Sequence, residues 1–443
     1  MPTTAAERRL LIAGALGLAA GFAALASCVP ETPPGPPAPE QPAERPPLPV
    51  AEPSEGRPAA PAEPQLRIGL TVGAASATIG GGDDMVITDP SGASIATVPA
   101  GEQWRVVPSG AGLELQPPGR AGPGRTEMIA VLTTDPRDRV RVNGRTYGGV
   151  VEFVRDSAGL TVVNRLLLES YLVGVISAEM GRRDQAEFEA LKAQAVVSRT
   201  YALRNLRRRA ALGFDLHASV SDQVYGGSAA ETPEGREAVS LTRGQVLTFD
   251  GSPIDAFYYS TCGGQTADGV EAFRAASRPY LHSFADVDQH GDAYCRISPR
   301  YRWREEWTGD ALRTTLRRTL PATLGVGADR ASEVRDVWVA QRTGSGRVGR
   351  LGITLPADHL MVEGRVVRQV LRPASGDLLR SAAFTLSAAR SGREITRLVA
   401  EGSGAGHGVG MCQWGAVGRS RAGQDYQRIL AAYYPGATLQ RVY

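Results

Sequence analysis

The sequence predicts an α+β protein: a large C-terminal domain of mixed helices and antiparallel strands, preceded by a small all-β domain. Three observations carry this. From Leu66 onward, short alternating runs such as Leu66-Arg67-Ile68-Gly69-Leu70 and Trp104-Arg105-Val106-Val107 are separated by Gly, Pro and Asp turns, the texture of strands. Asn143-Gly144 stands between two alternating segments, a hairpin signal. Leu172, Val175, Ile176 and Glu179 then fall at i, i+3, i+4 and i+7, and Phe188, Leu191, Ala195, Ala202 and Leu206 make a second helical stripe. At 443 residues, 42% apolar and 21% charged, the chain can bury a large core. A net charge of +3 is small for this length and argues against nucleic acid as a partner, which needs a clustered basic excess.

In chain order, residues 1–28 read as a targeting segment. Arg8 and Arg9 precede an apolar run from Leu10 to Leu25, and Leu25-Ala26-Ser27-Cys28 resembles the lipobox of bacterial lipoproteins, in which the residue at Cys28 is lipidated. An ordinary signal peptide or a short membrane anchor are the alternatives, and all three export the protein. In Gram-negative lipoproteins, the absence of aspartate after the cysteine favours the periplasmic face of the outer membrane. Residues 29–65 form a proline-rich tether: Pro30 to Pro64 holds 14 of the 30 prolines, too little apolar surface to offset ordering entropy. The small β domain is expected over 66–136 and the catalytic domain over 137–443.

Glu179 is the residue of most chemical interest. A carboxylate that continues an apolar stripe faces a core or a cleft, where loss of water disfavours its charge and raises its pKa toward that of a general acid. The competing readings are an ion pair with a nearby Arg, or an exposed helix end at Gly181. On the next helix, expected from about Gln185 to Arg209, Lys192 and Arg199 lie seven apart on one face and could bind an anion or sugar oxygens; the alternative is a solvated basic face. Cys262 and Cys295 read as a disulfide in an exported protein, with a metal pair as the alternative; His282 and His290 would then be further ligands by proximity alone. No thiol-protease signature surrounds Cys262, Cys412 or His407. Trp303 to Arg350, with a helix near Asp310 to Arg318 and a strand near Val334 to Ala340, is expected to belong to the same fold.

LESYLVGVISAEM, EALKAQAVVSRTYAL, SDQVYGG, FYYSTCGGQTAD and GHGVGMCQWGA followed by AAYYPGATL occur in this order and together resemble the SpoIID/LytB family of bacterial cell-wall proteins, over about Arg139 to Val442. The resemblance implies a peptidoglycan lytic transglycosylase that cuts glycan strands, preferably peptide-free ones, with no cofactor and no metal. It places the catalytic acid at Glu179, where relatives read SEMP and this chain has Gly181 for the proline. It places substrate contacts at Gln223, Tyr225, Ser260, His407, Gln413 and Tyr433, beside Lys192 and Arg199. Relatives often carry His at Tyr259, on which some of their metal sites depend, and usually Ser at Cys412, which makes that cysteine inessential by expectation. LytB-type relatives also suggest a non-catalytic role, binding glycan and stimulating a cell-wall amidase.

Overall fold

The computed structural model describes residues 46–49, 61–133, 135, 138–273, 277–327, 333–356 and 358–443. The expected leader, Cys28 and most of the tether lie outside them. Residues 1–41 and 42–443 are separate units, and all of the described residues belong to the second. Among the described residues, no helix is long and apolar enough to cross a membrane.

The β unit is larger than expected. Strand Gln65–Ala74 pairs antiparallel with Gly159–Leu167, in the register Gln65↔Leu167, and Met128–Thr133 pairs with Val150–Asp156. A seven-stranded and a six-stranded sheet result, and the expected boundary at 136/137 falls inside both. The correction has a simple cause: the first strand finds its partner about 100 residues later, and local alternation carries no record of a partner. The hairpin forms as Asn-Gly predicts. Arg145 pairs with Val142 across Asn143 (φ 48°) and Gly144 (φ 77°), the two positive φ values of a tight hairpin turn.

Helix α1 (Leu168–Met180) leaves the last strand directly, and Leu172, Val175 and Ile176 are fully buried. It stops at Gly181, whose φ of 67° proline cannot adopt, so the chain leaves the helix by a path closed to a Pro-bearing relative. After a single turn at Gln185–Glu187 comes α2 (Phe188–Arg204), shorter than expected at its C-terminal end. It is buried almost all round, with Ala190, Ala193, Ala195, Val196, Val197 and Ala202 letting neighbours approach closely. Packed on it are α1, α3 (Pro233–Leu241) and the strand Gln245–Phe249.

The short α4 (Gly269–Ala272) precedes a region that builds its own core. Strands Arg302–Thr308, Phe384–Ser391 and Glu394–Ser403 form one sheet, and Asp336–Arg342, Val348–Thr354 and His359–Glu363 another. With α5 (Gly309–Leu324) and α6 (Gly364–Val370) they enclose Trp307, Leu316, Leu320, Leu351, Ile353 and Leu398, a cluster separate from the main core. Trp303 to Arg350, expected to belong to the same fold, lies in the same unit as the rest of the described chain and contributes to this second core. The chain then returns through Met411–Cys412 to α7 (Gln413–Arg421) and α8 (Tyr426–Tyr433), both of which pack on α2. Asp425 caps α8 by accepting from Arg428 N at 2.8 Å.

Candidate active site at Glu179

Three segments converge on the end of α1. Tyr258–Tyr259 pairs in parallel with Met411–Cys412, Tyr258 opposite Met411, which brings Tyr258 and Gln413 to the same carboxyl although 155 residues separate them. The Asp222–Tyr225 loop crosses the same point. Glu179 is half-buried there. Its Oε1 accepts from Val224 N at 2.9 Å and from the Tyr258 hydroxyl at 3.2 Å, and its Oε2 accepts from Gln413 Nε2 at 3.2 Å. These three donors favour the carboxylate, yet burial outweighs them and holds the carboxyl above its usual range. Among the described residues, Glu179 forms no salt bridge. With Oε1 taken by two donors and Oε2 by one, Oε2 is the oxygen free to carry a proton.

A second tier of bonds aims the first. The Tyr171 hydroxyl donates to Gln223 Oε1 at 3.3 Å, Gln223 Nε2 donates to the Tyr258 hydroxyl at 3.2 Å, and that hydroxyl donates onward to Glu179. Because Gln223 is fully buried, this chain of bonds fixes the Tyr258 proton on the carboxyl. Beside it, Trp414 donates its backbone N–H to Ser260 O at 3.1 Å, and the Arg183 guanidinium lies 4.6 Å over the Trp414 ring. Ser260, Trp414 and Arg183 are half-buried, so a cation on an indole face flanks the carboxyl on an accessible surface.

Of the sequence-predicted site residues, the structure joins Gln413 to Glu179 directly and Gln223 through Tyr258, and it leaves Ser260 at the rim. The others are placed differently. Arg199 is fully buried and clamps Glu169 with two bonds of 2.6 and 2.9 Å, tying α2 to the start of α1; its long side chain is framework, not a groove cation. Lys192 pairs with Glu189 at 2.5 Å and lies over the Tyr426 ring. The Tyr225 hydroxyl donates to Asn164 at 2.9 Å between two other tyrosines, and the Tyr433 hydroxyl donates to Asp286 at 2.7 Å; both rings are buried. In Arg199, Tyr225 and Tyr433 a polar tip suited to a sugar has found a protein partner in the core instead, while Lys192 meets Glu189 on a half-buried face.

His407 does not reach Glu179. Its Nδ1 accepts from Val409 N at 3.1 Å, which leaves Nε2–H to donate to the Tyr258 carbonyl at 2.9 Å. Packed against Phe257, Tyr259 and Phe273, the imidazole is pushed down to about 4 by burial and stays neutral. It therefore positions the backbone of the residue whose hydroxyl touches the acid. Cys262 and Cys295 are free thiols with sulfurs 3.3 Å apart, and Cys412, expected to be inessential, joins them in one buried cluster. The expected two-cysteine bridge is corrected to three converging thiols. Tyr258 itself was missed: strand alternation says that Tyr258 and Tyr259 face opposite ways, but not which of them meets Glu179.

An α+β protein with a half-dry carboxyl at a helix end, bonded by residues from two distant glycine-rich segments, is the class that fold and site define. A family model described as Stage II sporulation protein matches residues 156–249, and a domain of unknown function, DUF8618, matches residues 288–410, the region with its own core. Stage II sporulation protein D of Bacillus subtilis is 30% identical over 292 residues, covering 62% of this chain and 75% of that protein. An uncharacterized protein of Brachyspira hyodysenteriae is 31% identical over 309 residues, covering 70% and 76%. The amidase enhancer of Bacillus subtilis is 28% identical over 336 residues, but this chain spans 45% of its length. The chain belongs to the stage II sporulation protein D family.

Proposed function

We propose that the protein is a lytic transglycosylase acting on peptidoglycan glycan strands, with Glu179 as acid and then base. The observation that carries this reading is the Glu179 carboxyl, held above its ordinary pKa by burial and fixed through Oε1, with Oε2 left for proton transfer. Protonated Glu179 donates to the glycosidic oxygen that leaves C1 of N-acetylmuramic acid, and that C1–O bond breaks. The sugar's own 6-hydroxyl then attacks C1, closing a 1,6-anhydro ring, and its proton passes to the Glu179 carboxylate. One acid suffices because the nucleophile is tethered to the reacting carbon and no water has to be activated; a hydrolase needs a second carboxylate for that step. On this reading the chain is exported and lipidated at Cys28, with the tether giving it reach toward the wall.

The likeness to an amidase enhancer supports a second reading, in which the same face binds glycan and serves a cell-wall amidase without cutting. One experiment separates the two. Purified chain and its Glu179→Gln variant are incubated with peptide-free glycan strands, and products are read by mass spectrometry. Anhydromuramyl ends from the wild type alone support cutting. Strand binding by both without such ends leaves the binding role.

A further inference from the structure

Cys262, Cys295 and Cys412 come from three separate segments: the strand end after Tyr259, the turn Tyr294–Ile297, and the residue that caps α7. They are 2%, 0% and 0% exposed, and their sulfurs all lie within 4.8 Å of one another, Cys262 and Cys295 at 3.3 Å. Such burial withholds them from any partner thiol or substrate. Zinc–sulfur bonds of about 2.3 Å place tetrahedral thiolates about 3.8 Å apart, so the cluster has the size of a metal site. Its surroundings are built for charged sulfur. Cys412 Sγ accepts from Cys262 N and from Gly415 N, both at 3.1 Å, and Cys262 Sγ accepts from Gly264 N at 3.3 Å. Peptide N–H groups aimed at sulfur stabilise a thiolate, whereas thiol and disulfide sulfurs are weak acceptors.

An oriented oxygen stands beside the cluster as well. Asp286 Oδ2 accepts from Cys262 Sγ at 3.4 Å but does not lie within 4.8 Å of all three sulfurs, so it borders the cluster and bears on Cys262 alone. Asp286 is fully buried and held by Arg419 at 2.8 and 3.0 Å and by the Tyr433 hydroxyl at 2.7 Å. Gly415 is what permits this approach, since a Cβ there would stand 2.3 Å from Asp286 Oδ2 and 3.1 Å from the Cys412 Cβ. Arg419 and the N-terminal end of α7 offset the collected negative charge.

We propose that Cys262, Cys295 and Cys412 bind one zinc ion as thiolates. Soft thiolates in a closed, buried site select zinc over hard cations, and a closed site makes the ion structural. Its work is to lock together the segments that carry Tyr258 and Gln413, both bonded to Glu179. The inference goes beyond the glycan reading and is tested without glycan, so either can fail alone.

The test uses the full chain with Cys28→Ser as background, purified without chelator and assayed for metal by mass spectrometry. One zinc per chain is expected, with all three thiols shielded from alkylation in the native state and all three reactive after unfolding with chelator and no reductant. After zinc removal, cobalt(II) is expected to bind one to one with thiolate-to-cobalt charge transfer and tetrahedral visible bands, and C262S, C295S and C412S each to lose the bound ion. Should a serine variant fail to fold, the wild-type metal content, cobalt spectrum and thiol count decide by themselves. A metal-free chain in which only one of the three thiols alkylates after unfolding without reductant is a disulfide protein, and overturns the proposal. So does an iron-containing chromophore in the purified chain.

Discussion

Helix α1 carries two acids, Glu169 and Glu179, ten residues apart, and the protein treats them in opposite ways. Glu169 is buried against Arg199, accepts further from Gly244 N and the Tyr443 hydroxyl, and its carboxyl is held below the usual range although burial opposes this. Glu179 keeps partial exposure, has only uncharged donors, and its carboxyl is raised. The difference lies in the neighbouring cation: with one, a carboxylate becomes permanent framework; without one, burial keeps it able to take and release a proton above the ordinary carboxylate range. Both carboxylates lie in the SpoIID-like segment, and pattern alone does not tell them apart.

Breaking this contrast at its functional end should have the largest effect. On the glycan-cutting reading, Glu179→Gln is expected to lower anhydromuramyl product formation by about 10²–10⁴-fold. The same variant should unfold at an equal or higher temperature than the wild type at pH 7. Burial favours the neutral acid, so the folded pKa of Glu179 lies above its unfolded value of 4.5, and the stability contributed by the neutral form is lost as pH rises through the folded pKa. A thermal melt of both proteins at pH 7 checks this, and a large drop for the variant would mark Glu179 as framework.

At the framework end, Arg199→Met strands the Glu169 charge and should cost roughly 3–5 kcal/mol in chemical denaturation. Adding Glu169→Gln should recover part of it. If Arg199→Met instead left stability intact and only weakened glycan binding, the placement of that cation in the core would be wrong.

His407 gives an intermediate effect. Its folded pKa of about 4 lies below the unfolded 6.5, so the stability it contributes is present above pH 6.5 and is lost as pH falls through 4, by about 3 kcal/mol in all. His407→Gln should flatten the difference in denaturant midpoint between pH 7 and pH 4.5. The smallest effect sharpens the contrast from within. Tyr258→Phe removes one donor from Glu179 Oε1, which raises the carboxyl further, so the high-pH limb of the rate profile should move upward while the rate falls about tenfold.

Much of this was legible in the sequence. The helical stripe ending in Glu179 and the Asn-Gly hairpin depend on neighbours a few residues apart, and both are found in the structure. The extent of the β unit was not legible, because Gln65 meets Leu167 and Arg67 meets Arg165 across a separation that leaves no local trace. Nor was the division of labour among Arg199, Tyr225, Tyr433 and Gln413: all four have polar ends, and only packing decides which of them meets a core partner and which meets the acid. The cysteines follow the same rule, since spacing along the chain suggested a pair and convergence in space made a trio.

Glu179 and Gln413 lie 234 positions apart, with a region that has its own core between them. A ribosome that has delivered α1 but not yet residue 413 holds an acid whose partner amide does not exist. On the glycan-cutting reading, an arrangement that needs both Glu179 and Gln413 is completed only once residue 413 has been made, so a chain ended before it lacks that arrangement.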